Sequence, residues 1–156
     1  MQVIIDIFTN HIILGATFAW LTAQICKVIL TLITDKQFKL ERMFGDGGMP
    51  SGHSAAVTSL AIMTGHTAGF GSPVFAVAGL LAIIVMHDAT GVRRETGKQA
   101  VTLLQILETF NDMVSEKDKI VQKEKLKVLV GHSHLQVLCG ALVGVIVSLV
   151  YIAILG

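Results

Sequence analysis

The sequence predicts an all-α fold, a polytopic membrane helix bundle with about four transmembrane helices and an amphipathic helix on the cytoplasmic side. Three observations predict it. Hydrophobic residues fill 53% of the 156 positions and charged residues only 15%, where soluble domains carry about 25% charge. The mean hydropathy is +0.70. The apolar residues are gathered into runs near bilayer-spanning length, interrupted by two polar segments, 34–53 and 91–134.

A helix needs about 20 mostly apolar residues to cross a bilayer. Residues 11–33 qualify, with Lys27 their only formal charge, and so do residues 135–155. Two shorter runs lie between them, 54–70 and 73–90, joined by Gly69-Phe70-Gly71-Ser72-Pro73. The glycines and proline mark a turn, so these runs read as a hairpin that crosses and returns. Residues 1–10 form an interfacial lead-in or extend the first helix. In the second polar segment Val101, Leu104, Ile106, Leu107, Phe110 and Met113 recur at mainly helical spacing. That pattern predicts an amphipathic helix on the membrane surface or against the bundle. Residues 115–127 are a solvated run with five lysines and receive no chemical role.

The length suits a single domain over residues 1–156. The N-terminus has Asp6 in place of a basic stretch and no cleavage site, so the first apolar run is expected to remain as an anchor. A net charge of +1 implies no nucleic-acid partner. Cys26 and Cys139 lie in apolar runs and read as small buried hydrophobes rather than a disulfide. Basic residues orient membrane proteins. Lys36, Lys39, Arg42, Arg93, Arg94, Lys98 and the 117–127 lysines fall in the two polar segments, which four spans put on one side. That side is expected to be cytoplasmic, with both termini outside.

Gly47-Gly48-Met49-Pro50-Ser51-Gly52-His53-Ser54 is the most informative stretch. It precedes an apolar helical run, and a helix N-terminus offers free N–H groups and the positive end of its dipole to an anion. Glycines let a ligand approach the backbone, and His53 stands where a proton donor or acceptor is needed. The same residues also suit a plain Pro-Ser cap on a membrane helix. Lys27 is costly inside a membrane, about 2.5 kcal/mol or more unless paired or hydrated. It either snorkels to the interface or points inward to an anion, helped by Gln24. Asp88 reads as an orienting residue, and Arg93 and Arg94 as headgroup anchors or bidentate phosphate ligands. Gly131-His132-Ser133-His134 then brings further imidazoles to the same face. Two histidines on one phosphate suggest one nucleophile and one acid. A zinc site from His53, Asp88, His132 and His134 is the competing reading. The basic surroundings suit an anion better, so no metal and no cofactor is expected.

Three blocks, G-G-M-P-S-G-H-S-A (47–55), D-A-T-G-V-R-R-E-T-G-K-Q-A (88–100) and G-H-S-H-L-Q-V-L-C-G (131–140), together with Q-I-C-K (24–27), resemble the divergent branch of the PAP2 family. These are membrane phosphatidic-acid-phosphatase-like proteins related to vanadium haloperoxidases. The resemblance covers nearly the whole chain. It implies His132 as nucleophile, His53 as general acid, Lys27 and Arg93 or Arg94 as phosphate ligands, and Ser51 and Gly52 as hydroxyl or backbone donors. Lys36 and Arg42 have five residues between them and are followed by Met43, which departs from the family's first motif and favours Lys27. Gln136 stands where an acidic residue is usual; a glutamine can hold the imidazole but stabilises an imidazolium less than a carboxylate does, so either Asp88 serves instead or activity is low.

The reading that results is an integral membrane phosphatase. It would hydrolyse a lipid-borne phosphate monoester or diphosphate through a phosphohistidine, in a bacterial cell membrane, with its active site on the cytoplasmic face. Homodimerisation could complete the site. The alternatives are a non-catalytic scaffold that binds phospholipid headgroups or a protein partner, and a small transporter, which Lys27 alone supports poorly.

Overall fold

The computed structural model describes residues 1–35, 48–113 and 133–155, and every regular element among them is an α-helix. In chain order these are α1 (Gln2–Phe8), α2 (His11–Asp35), α3 (Gly52–Ala68), α4 (Pro73–Thr90), α5 (Val92–Met113) and α6 (His134–Leu155). Lys36, Lys39, Arg42, the 115–127 charge run and His132 lie outside the described residues.

The helices begin where the sequence supplies an acceptor for their first N–H groups. Asn10 Oδ1 accepts from the N–H groups of Ile12 and Ile13, at 2.9 and 3.2 Å. This cap makes the N-terminal residues a separate short helix rather than an extension of α2. Ser72 caps α4 by accepting from Phe75 N–H at 3.2 Å, with Pro73 opening the helix. Proline fits there because its missing N–H would have had no helical partner. Inside the helices, Thr17, Thr22, Thr31 and Thr64 return their hydroxyls to carbonyls four residues back. A hydroxyl satisfied in this way carries no unmet hydrogen bond into lipid.

Among the described residues three helical stretches are long and apolar enough to cross a membrane by length and composition: His11–Thr34, Pro73–Leu107, which runs from α4 into α5, and His134–Leu155. The remaining expected span, α3, has 17 residues, about 25 Å at helical rise. Its polarity has a physical reason. Ser54, Ser59 and Thr64 are buried in protein, because α3 is the hub against which α2, α4 and α6 all pack.

The packing of α3 on α6 is parallel and in register. A Cβ on Gly140 would run into the Ser51 carbonyl and come within 3.0 Å of Ser54 Cβ. One turn on, a Cβ on Gly144 would meet the Ala55 carbonyl at 2.5 Å. One turn further, Ser148 Oγ donates to Ser59 Oγ at 2.8 Å. Membrane helices gain no hydrophobic drive against lipid, so close contact through small residues takes its place. Helix α2 runs antiparallel to both. His11 Nδ1 at its start lies 3.0 Å from the Tyr151 hydroxyl near the end of α6. Among the described elements helix α5 touches only α4, and Leu103, Ile106, Phe110 and Met113 on it are exposed.

Gly140→Val must push Ser51 away. It is expected to lower the thermal unfolding midpoint in detergent by the equivalent of about 1–3 kcal/mol, the usual scale of overpacking. Gly79→Ala, whose new Cβ meets nothing within 4 Å, is expected to be neutral or slightly stabilising. Equal midpoints for the two variants would contradict this packing.

Candidate functional site

The Gly48–Ser54 turn is inset into the bundle rather than placed at its rim. Gly48 adopts φ +107, a conformation that glycine takes at little steric expense. A Cβ there would lie 3.2 Å from Lys27 Cγ and Cδ. A Cβ on Gly52 would lie 3.2 Å from Trp20 Cδ1 and 3.7 Å from Gln24 Cδ. The turn therefore rests on Trp20, Gln24 and Lys27, one face of α2 at helical spacing. Helix α2 continues for eight residues beyond Lys27, to Asp35, about 12 Å. Non-helical backbone at such depth is tolerated only when buried in protein or lining a polar cavity.

Most of the turn's polar groups are satisfied internally. Ser51 is fully buried. Its N–H donates to the Gln136 carbonyl at 3.0 Å, and its Oγ accepts from Ser54 N–H at 3.3 Å and Ser54 Oγ at 3.0 Å. Ser51 is the α3 cap and, through its N–H, the link to α6. The N–H groups of Gly52 and His53, in the first turn of α3, have no acceptor among the described residues. Gln24 is 7% exposed and its Oε1 has no hydrogen-bond partner. Lys27 is 3% exposed, so it is buried on the bundle side of α2 rather than snorkelling along lipid. His53 is exposed beside these groups.

The structure thus brings together Lys27, Gln24, Gly52 and His53, with Ser51 holding the turn. Asp88 is half-buried in the last turn of α4, which the short turn after α3 returns to the same end of the bundle. The backbone of Arg93 and Arg94 lies in the first turn of α5 at that end. His132 falls outside the described residues. The chain that follows it is placed. Ser133 N–H donates to Gln136 Oε1 at 2.9 Å, and Gln136 N–H donates to Ser133 Oγ at 3.3 Å. This reciprocal pair is a capping box. The Gln136 side chain takes part in starting α6, and its carbonyl ties that start to Ser51. Among the described residues no three His, Cys, Asp or Glu side chains converge as a metal set. Cys26 and Cys139 form no disulfide and are half-buried.

Two features of this site were readable but carry no chemical motif. Ser133-x-x-Gln136 is the sequence form of a capping box, and Gly140, Gly144 and Ser148 form a small-residue row at four-residue spacing. Trp20 had no signal beyond being the chain's one tryptophan.

Gln136→Leu is expected to lose the cap and lower stability in detergent by about 1 kcal/mol. Gln136→Glu, which keeps an acceptor at the same helix position, is expected to retain it. A midpoint unchanged in Gln136→Leu would contradict the cap.

The family model described as "Divergent PAP2 family" matches residues 8–147. The chain is 40% identical to a protein of Bacillus subtilis (strain 168) named "Uncharacterized membrane protein YuiD", covering 93% of this chain and 96% of that one. No solved structure matches.

Proposed function

This chain belongs to the divergent PAP2 family, and we propose that it is a membrane phosphatase acting on a lipid-borne phosphate monoester or diphosphate. One observation carries the reading. At the inset N-terminus of α3, two backbone N–H donors and the Oε1 of buried Gln24 lack partners among the described residues, with the buried cation Lys27 against the same turn. Donors, a helix dipole and a cation around one polar recess favour an oxyanion. Rotation of the Gln24 amide would present its NH2 group, since the two ends of the amide are interchangeable in shape.

In this reading the Gly52 and His53 N–H groups, Lys27 and Arg93 or Arg94 hold the phosphate oxygens. An imidazole nitrogen of His132 attacks phosphorus. The bond from phosphorus to the leaving oxygen breaks, and His53 gives that oxygen its proton. Water then attacks the phosphohistidine, His53 takes a proton from it, and inorganic phosphate leaves. Asp88 orients an imidazole or an arginine in place of the engaged Gln136. The capping box and the Ser51–Gln136 bond, which tie the start of α6 to the turn, support this role for His132, the residue before Ser133 in the sequence. The lysines and arginines of the two polar segments favour a site on the cytoplasmic face.

The engagement of Gln136 in the cap favours a second reading, a scaffold that binds phosphate headgroups without cleaving them. Phosphate release separates the two. Purified protein in detergent, given a panel of lipid phosphates and diphosphates, is expected to release inorganic phosphate and to form an acid-labile, base-stable phosphoenzyme. His132→Ala is expected to abolish the phosphoenzyme. His53→Ala should slow turnover by about 10²–10⁴-fold, the scale of a lost general acid. Release that survives both substitutions at full rate would overturn the residue roles. Binding without release from any substrate would establish the scaffold.

A further inference from the structure

We propose that Trp20 joins the anion recess to a groove that takes the hydrocarbon chain of the phosphate-bearing lipid. The inference rests on the phosphate reading of the α3 N-terminus and adds where the rest of the molecule lies. A groove of about 310 Å³ runs between α2 and α3, lined by Ile13, Ala16, Thr17, Trp20, Ala56 and Leu60. It begins at the recess. Trp20 Cδ1 and Nε1 lie 3.2 and 3.4 Å from where a Gly52 Cβ would be, and the same indole is part of the groove wall. The Trp20 N–H has no acceptor among the described residues. An indole has an apolar body and one polar edge, and here the edge borders the recess while the body belongs to the groove.

The groove disfavours a polar occupant. Its one hydroxyl, Thr17 Oγ1, already donates to the Ile13 carbonyl at 2.8 Å, so the wall offers a polar occupant a single remaining acceptor among apolar side chains. It lies on membrane-spanning helices and opens sideways, since Ile13 and Thr17 are exposed. From Gly52 to Leu60 is eight residues, about 12 Å at helical rise, against about 15 Å for half of a 30 Å hydrocarbon core. The occupant is thus a chain from the leaflet that holds the recess, its phosphate at Gly52 and its hydrocarbon lying toward Leu60. Ala56, one turn below Gly52, sets the width at the neck of the groove.

Trp20 is the only tryptophan, so its fluorescence reports on the junction directly. The test uses full-length protein in phosphatidylcholine vesicles with a trace of brominated-chain lipid. One probe is a phosphonate analogue of phosphatidic acid, with a methylene in place of the ester oxygen so that it is not consumed. The other is brominated phosphatidylcholine. The phosphonate is expected to quench Trp20 about tenfold more effectively at equal mole fraction, the scale of one charge-assisted contact. Ala56→Phe, which fills the groove without touching the recess, is expected to remove that preference. It should leave phosphate release from a short-chain, water-soluble phosphatidic acid near the wild-type rate.

Equal quenching by the two lipids would mean that the groove holds only bulk lipid, which overturns the inference. So would an undiminished preference in Ala56→Phe protein whose unfolding midpoint matches wild type. If the short-chain substrate is still cleaved in those cases, the phosphatase reading stands and only the groove falls. If wild type neither prefers the phosphonate nor cleaves the short-chain substrate, both fall together.

Discussion

The structure depends on a backbone turn pressed between two helices, where a Cβ on Gly140 would strike its backbone and one on Gly48 or Gly52 would crowd α2. Ser51 meets α6 at Gly140 and donates its N–H to the Gln136 carbonyl, while Gly52 and Gly48 rest on Trp20 and Lys27 of α2. Removing bulk at Gly140 and Gly144 lets α3 and α6 approach until their backbones touch, and the Ser59–Ser148 bond extends the register deeper. Close packing is the attraction available to helices surrounded by lipid. Here it also sets a depth. It draws the N-terminus of α3 down to the level of Lys27, well inside the end of α2.

That depth makes the N-terminus chemically useful. At a water-exposed helix end, solvent satisfies the first N–H groups and screens a nearby cation. In a recess bordered by buried groups the same donors have few partners, and electrostatic attraction for an anion is stronger. The cap resolves part of the demand through Ser51 and Ser54. The octapeptide's capping reading is what the structure shows, and the proposed anion site rests on the Gly52 and His53 N–H groups and Gln24 beside that cap.

The helical architecture was legible because run length and turn chemistry are local. Gly69 to Pro73 announces the hairpin, and the apolar run from His11 announces α2. The burial of Lys27 was legible as one of two options, and the contact with Gly48 selects it. The role of Gln136 was not legible by analogy with an acidic residue. What decides it is the spacing to Ser133, which fits a capping box better than an imidazole partner. Trp20 was missed because an aromatic residue in a membrane helix looks like any other until α3 is placed against it. The inset of the turn was beyond sequence reasoning for the same cause, since it follows from a register between α3 and α6 that no local pattern states.

Binding of vanadate to the purified protein in detergent tests the central claim most directly, because vanadate adopts the geometry of phosphate in transfer and needs no known substrate. The account predicts saturable binding to wild type and, in Lys27→Met protein with an unchanged unfolding midpoint, affinity weaker by about tenfold or more, as for a lost charge-assisted contact. No saturable binding, or the same affinity in both proteins, would contradict an oxyanion recess at the start of α3.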